Sequence, residues 1–167
     1  MNSRPTALLA AFLLIATHLC GSDTMWVTGP RSETVPLHIT AENKIFIRAF
    51  VNDHEVTLYI DTGSGTVIDS KLAERLKIDI QLGGPGFALD GTSMHQGSGR
   101  LAALRFGKMV ISGLPVQFVD LTAMRKLHAE HGFPDIDGVI GVDVLATLGA
   151  EIDFDAKLLH IRRPSKA

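Results

Sequence analysis

Leu58-Tyr59-Ile60-Asp61-Thr62-Gly63-Ser64-Gly65-Thr66-Val67-Ile68 is the stretch that decides the fold. Val56, Leu58 and Ile60 alternate with less apolar residues up to Asp61, the pattern of a half-buried strand, and a second apolar run begins just after Thr66. Asp and Gly together are ordinary turn chemistry. A solvent-exposed turn, however, has no need of apolar strands on both sides. The segment therefore predicts a strand-loop-strand unit that delivers the Asp61 carboxylate at its tip. Much later, Val139-Ile140-Gly141 forms an apolar-apolar-Gly element that leads into a short helical run.

Outward from this segment the dominant period is two. Ile45, Ile47, Ala49 and Val51 alternate before Asn52-Asp53-His54, which predicts a hairpin with Glu55–Ile60. Leu101–Val119 repeats the theme, with Gly107-Lys108 as one tight turn and Ser112-Gly113 as another. A last short strand pair surrounds Asp155-Ala156-Lys157. Helical spacing is confined to Ser70–Leu76, Leu121–His131 and Val142–Leu148, the last two stopping at Gly132 and Gly149. The expected fold class is all-β, mainly β with two or three short helices.

The chain has 167 residues, enough for one domain and a short appendage. Its 20% charged and 46% hydrophobic content is that of a globular protein, and a net charge of −2 gives no electrostatic reason to expect nucleic acid as partner. A single cysteine, Cys20, excludes an intramolecular disulfide framework and a Cys-rich zinc site. Residues 1–21 differ from the rest: a short basic start, an apolar run from Ala7 to Thr17, then Gly21-Ser22-Asp23-Thr24. This predicts a secretory signal peptide and an exported product, periplasmic or secreted. The membrane enters only if the segment stays uncleaved or Cys20 is lipidated. Residues 22–42 are expected as an N-terminal extension or linker, 43–162 as the domain, and 163–167 as a flexible tail.

In its motifs the chain resembles the retropepsin-type, single-domain aspartic proteases, and specifically their bacterial group. That pattern is an apolar strand, Asp-Thr-Gly followed by Ser or Ala, a Gly-rich flap hairpin, and an apolar-apolar-Gly turn before a helix. Here these are Leu58–Ser64, a hairpin within Phe87–Arg100, and Asp137–Leu145, so the resemblance spans about Asn43 to Arg162. It implies a closed acid-protease barrel, one lobe per chain, active as a homodimer, with Asp61 catalytic and no cofactor or metal. It also implies support from Thr62, Gly63 and Ser64, and from Val139, Ile140 and Gly141. Thr62 would bond across the two-fold axis. Asp90, Gly91 and Thr92 are expected at the flap tip, with Gln96–Gly99 as the other Gly turn on offer.

The chemistry explains the inferred dimer. Hydrolysis by this route needs a general base to activate water and a general acid to protonate the leaving amine, and two adjacent carboxyls sharing one proton supply both. The chain carries one Asp-Thr-Gly and no room for a second lobe, so the partner carboxyl must come from a second copy. Ser64 is expected to donate to the outer carboxylate oxygen and favour its ionised form. The function expected is an aspartic endopeptidase acting on polypeptides. The alternative is a catalytically silent module of the same fold that binds extended peptides, and a third reading is a monomer with regulated dimerisation.

Other motifs lose on inspection. His128 and His131 lack the spacing of a zinc-protease helix. Phe133 and Val144 occupy ligand positions of what would otherwise be a calcium loop around Asp135-Ile136-Asp137-Gly138. Gly97-Ser98-Gly99 lacks the βαβ setting of a dinucleotide fingerprint. His95 reads as a solvated loop histidine. Asp143 and Asp153 are expected as a helix cap and a solvent-facing strand residue.

Overall fold

In the computed structural model, which describes residues 25–87 and 93–165, the period-two segments form strands. In chain order these are β1 (Trp26–Thr28), β2 (Ser32–Ile39), β3 (Ile45–Val51), β4 (His54–Ile60), β5 (Val67–Asp69), β6 (Ile80–Phe87), β7 (Ser93–Phe106), β8 (Met109–Val119), β9 (Gly138–Ile140), β10 (Glu151–Asp153) and β11 (Leu158–Arg162). Three short helices, α1 (Ser70–Arg75), α2 (Thr122–Glu130) and α3 (Val142–Thr147), lie where the helical spacing placed them.

Six strands close into a barrel in the order β3-β4-β9-β5-β8-β7, because β7 pairs back onto β3 at Phe50↔Arg105 and Val51↔Leu104. The β4–β9 and β5–β8 contacts are parallel, and the other neighbours in the ring are antiparallel. Closure removes the free edges that an open sheet would expose. The inward faces of these strands supply the core, with Val51, Leu58, Ile68, Leu101, Leu104 and Ile111 fully buried. At the β3–β4 turn both Asn52 and Asp53 take positive φ, 46° and 66°, as a two-residue hairpin turn of the I′ kind requires. The Asn52 side chain accepts from Ala103 N–H at 3.0 Å, which fastens this turn to β7.

The segment before residue 43 carries β1 and β2. β1 pairs with β8, and β2 crosses between two partners, β11 along 32–36 and β3 along 37–39, while burying Val35 and Leu37 in the core. Residues 1–21, with Cys20, lie outside the described residues, as do Asp90, Gly91 and Thr92.

Two local expectations are corrected. Ser112-Gly113 is no turn: β8 runs through it, keeping one register from Leu101↔Leu114 to Ala103↔Ser112 while Gly113 bends the strand at φ 66°. Gln96–Gly99 is no turn either, because it lies inside β7, paired with β8 on one side and, from Gly97 on, with β6 on the other. β6 and β7 pair as far as Phe87↔Ser93, and the residues between these two lie outside the described ones.

Candidate active site

β4 ends at Ile60 and β9 ends at Ile140, and their parallel register, Tyr59↔Val139 and Ile60↔Ile140, brings the two following turns together. Asp61 N–H donates to Ile140 C=O at 3.0 Å, and Val142 N–H donates to Ser64 C=O at 2.9 Å. The Asp61–Gly65 loop is therefore stitched to the turn at Gly141 from both ends. Gly141 is required at this place: a Cβ would lie 2.3 Å from Ser64 O and 2.3 Å from the Gly65 carbonyl carbon.

Asp61 is half-buried at the mouth of this loop, and its Oδ1 accepts from Gly63 N–H at 2.9 Å. Gly63 leaves the carboxylate room, since a Cβ there would approach Oδ1 to 3.3 Å. Thr62 is exposed, and its hydroxyl has no hydrogen-bond partner among the described residues. Ser64 departs from expectation. Its buried hydroxyl donates to the Asp61 main-chain carbonyl at 3.4 Å and not to the carboxylate, so the donor that reaches the acid group is the Gly63 amide.

Sequence reasoning missed the link behind the loop. Thr66 is buried, its hydroxyl donates to Asp143 Oδ1 at 2.7 Å, and the Thr66 Oγ1 itself accepts from Gly141 N–H at 3.0 Å. Thr66 N–H adds a bond to Asp143 Oδ1 at 3.1 Å. Asp143 thus does more than meet Val144 N–H in the first turn of α3, because it also holds the loop that carries Asp61. A Thr three residues after Asp-Thr-Gly and an Asp two after Gly141 were the available signal.

A second polar cluster sits at the other end of β5 and β9. Asp69, 1% exposed, caps α1 by accepting from Lys71 N–H at 3.3 Å. Arg125 on α2 reaches Asp69 Oδ2 through Nη1 at 3.2 Å and grips Asp135 through Nε at 2.7 Å, with Nη2 on the second oxygen. This guanidinium holds the Asp135 carboxyl below the ordinary carboxylate range and is itself raised, chiefly by its bond to Asp135. His128, 7% exposed, packs edge-on against Phe46, Tyr59 and Phe133 at ring separations of 5.7, 5.9 and 5.7 Å. Burial pushes its imidazole below the usual histidine value, against the Pro134 carbonyl that its Nδ1 meets at 3.3 Å. His128 and His131 thus bond to backbone carbonyls, of Pro134 and Leu127.

Comparison with known proteins agrees with this geometry. The model of a family described as aspartyl protease matches residues 47–144, which take in Asp61, Thr66, Gly141 and Asp143. Among solved structures, a retropepsin-like aspartic protease from Rickettsia conorii has a similar fold, with a TM-score of 0.54, 17% identity, and 84% of this chain and 94% of that one covered. EIAV protease complexed with the inhibitor HBY-793 gives a TM-score of 0.48 at 18% identity over 70% of this chain and 99% of its own. The retroviral protease-like domain of Ddi1 from Leishmania major gives 0.46 at 17% identity over 72% and 93%. No curated protein matches the chain. At such identities the Rickettsia likeness is one of fold, whereas the family match spans more than half of the sequence and includes the loop that presents Asp61. With its closed barrel and paired turns, the chain belongs to the aspartyl protease family and has a retropepsin-like fold.

Proposed function

We propose that the chain is an exported aspartic endopeptidase, periplasmic or secreted, in which Asp61 pairs with its symmetry mate in a homodimer. The observation that carries this reading is the Asp61 loop itself. It presents one half-buried carboxylate, held by the Gly63 amide and braced from behind through Gly141, Thr66 and Asp143. A groove that only bound peptide would gain nothing from a carboxyl fixed in this way, since two such groups brought together repel and must share a proton.

In the dimer one Asp61 carboxyl is protonated and the other ionised. The ionised group takes a proton from water as it attacks the scissile carbonyl, and the protonated group supplies one to the leaving amine. The exposed Thr62 hydroxyl is free to bond across the two-fold axis. Substrate lies extended between the β6–β7 hairpin and the floor formed by the two loops, held by main-chain hydrogen bonds.

The test is cleavage of a mixed peptide library by the purified chain from Ser22 onward, wild type beside Asp61→Asn, from acid to neutral pH. Hydrolysis by the wild type alone supports the enzyme. Peptide binding by both forms with hydrolysis by neither makes the silent binding module the correct reading.

A further inference from the structure

The start of β2 carries a basic groove. Arg31 precedes β2 and Ser32 opens it, and Arg162 at the end of β11 lies beside them with Arg163, Pro164 and Ser165, around a space of about 750 Å3. Ser32 pairs with Arg162 across the strands, and Arg163 N–H donates to Arg31 C=O at 3.0 Å, so the start of β2 and the end of β11 are locked side by side. Arg31 and Arg163 are exposed and have no acidic partner among the described residues, whereas Arg162 pairs with Glu151 at 3.1 Å. The exposed Lys108 adjoins this end, since its carbonyl lies against Gly29 and its N–H donates to Glu33 at 2.8 Å. Four cations and two carboxylates, Glu33 and Glu151, therefore gather here, and the cations left over sit in a chain whose net charge is −2.

Placement of the groove follows from strand register. Leu37↔Ile47 and Ile47↔Leu58 put the late part of β2 level with the part of β4 that leads to Asp61. Arg31 lies six residues earlier, beyond the stretch over which β2 has left β3 for β11. The groove thus lies at the start of β2, and the strand end that leads into Asp61 is level with the end of β2.

We propose that this groove docks on the anionic phospholipid headgroups of a membrane. Charge complementarity argues for this occupant. So does the chain that precedes Met25. It holds the apolar run Ala7–Thr17, and the seven residues His18–Thr24 reach at most about 25 Å, so a run retained in a bilayer keeps β1 near the headgroups. Trp26, 55% exposed on β1 and five residues from Arg31, has the amphipathic ring favoured at such an interface. With the run removed, the groove binds reversibly by charge alone. Neither case depends on the proposed proteolysis.

The experiment is cosedimentation of the full chain with phosphatidylglycerol-rich and with pure phosphatidylcholine vesicles. An apolar anchor alone binds both alike, so the groove shows as the preference for the anionic ones. Arg31→Ala with Arg163→Ala is expected to weaken binding to the anionic vesicles roughly thirty-fold and leave the neutral vesicles unaffected. Arg31→Lys with Arg163→Lys keeps the charge and the preference, which separates loss of docking from loss of folding. Equal binding to the two vesicle types, or a preference that survives the double alanine change, overturns the proposal. So does displacement by millimolar inorganic phosphate at ionic strength matched with chloride, which makes the groove a site for a free anion.

Discussion

Two glycines separate what the catalytic loop needs from what a turn needs. At Gly141 a Cβ would meet the Ser64 and Gly65 backbone at 2.3 Å, and backbone on both sides of the contact cannot yield as a side-chain end can. Gly141→Ala is therefore expected to cost more than about 3 kcal/mol, because either the loop or β9 must shift. Where the protein still folds, hydrolysis should fall on the order of a hundredfold, the usual effect of misplacing a catalytic group by about 1 Å. Gly132 is the contrast. It takes φ 69° with nothing within 4 Å of an added Cβ, so Gly132→Ala should cost only about 1 kcal/mol of backbone strain and leave turnover unchanged. Thermal midpoints and initial rates of the two variants side by side check both expectations. Equal losses would mean that Gly141 matters only for its backbone freedom.

At the scale of elements, α2 is fastened to the barrel at two points that respond differently to change. The first is Arg125, which spans β5 through Asp69 and the approach to β9 through Asp135. Removing it leaves the Asp69 carboxylate buried with only backbone donors from Lys71 and Leu121. Arg125→Met should cost about 2 to 3 kcal/mol, less than a fully buried pair would because the Arg125 side chain is 36% exposed. Adding Asp69→Asn should recover part of that loss, so a denaturant cycle over the four forms reads the coupling. The second point is His128. Its folded-state proton affinity is depressed, so as pH falls the unfolded chain takes up a proton before the folded one does. The stability it contributes is present above about pH 6.5, the ordinary histidine value, and is lost progressively as pH falls below it toward the folded value. Lys44 and His131 reinforce this direction and Asp135 opposes it. Urea midpoints at pH 7 and pH 5 should differ more for the wild type than for His128→Phe, which offers the aromatic cage a ring that never charges. Most elements after residue 43 were legible because their signals are local: period two around Asn52-Asp53, a Gly stop after each of α2 and α3, a Gly turn at 107; β1 and β2 stand where an extension or linker was expected. The cage around His128 was not, since Phe46, Tyr59, His128 and Phe133 come together only when the strands and α2 pack. Asp69, Arg125 and Asp135 were hidden for the same reason, each ordinary where it stands in the sequence. Gly113 misled because a glycine that bends a strand and one that reverses it look alike in one dimension.

For the whole molecule the question is how one carboxylate becomes two. Asp61 and the Gly141 turn were readable from sequence because both are continuous motifs, but a dimer interface is a property of surfaces and leaves no such signature. The structure narrows it. β11 already has β10 on one side and β2 on the other along Leu158–His160, so that stretch offers no free edge to interleave with a second copy. In the proposed dimer the Asp61–Ser64 loops must meet, and Thr62 there is exposed with no hydrogen-bond partner for its hydroxyl among the described residues. An interface of that kind need not hold the chains together permanently, and specific activity should fall on dilution as dimers dissociate. Dilution alone does not separate dissociation from adsorption or unfolding, and mixing does. Asp61→Asn keeps the shape of the loop and the Gly63 contact through its own side-chain oxygen, so it should pair with wild-type chains as readily as they pair with one another. In an equal mixture brought to exchange, random pairing leaves about a quarter of the dimers with two aspartates, and activity per wild-type chain should drop to about half. A monomeric enzyme gives no drop at all, and preferential self-pairing gives a drop smaller than half. Thr62→Ala should act on the same measurement from the other side: it weakens dimerisation, moves the dilution midpoint to higher concentration and leaves the rate at saturating protein nearer to wild type. If it instead lowers that plateau with an unchanged midpoint, the Thr62 hydroxyl orients Asp61 within its own chain and the bond across the axis is lost to the mechanism.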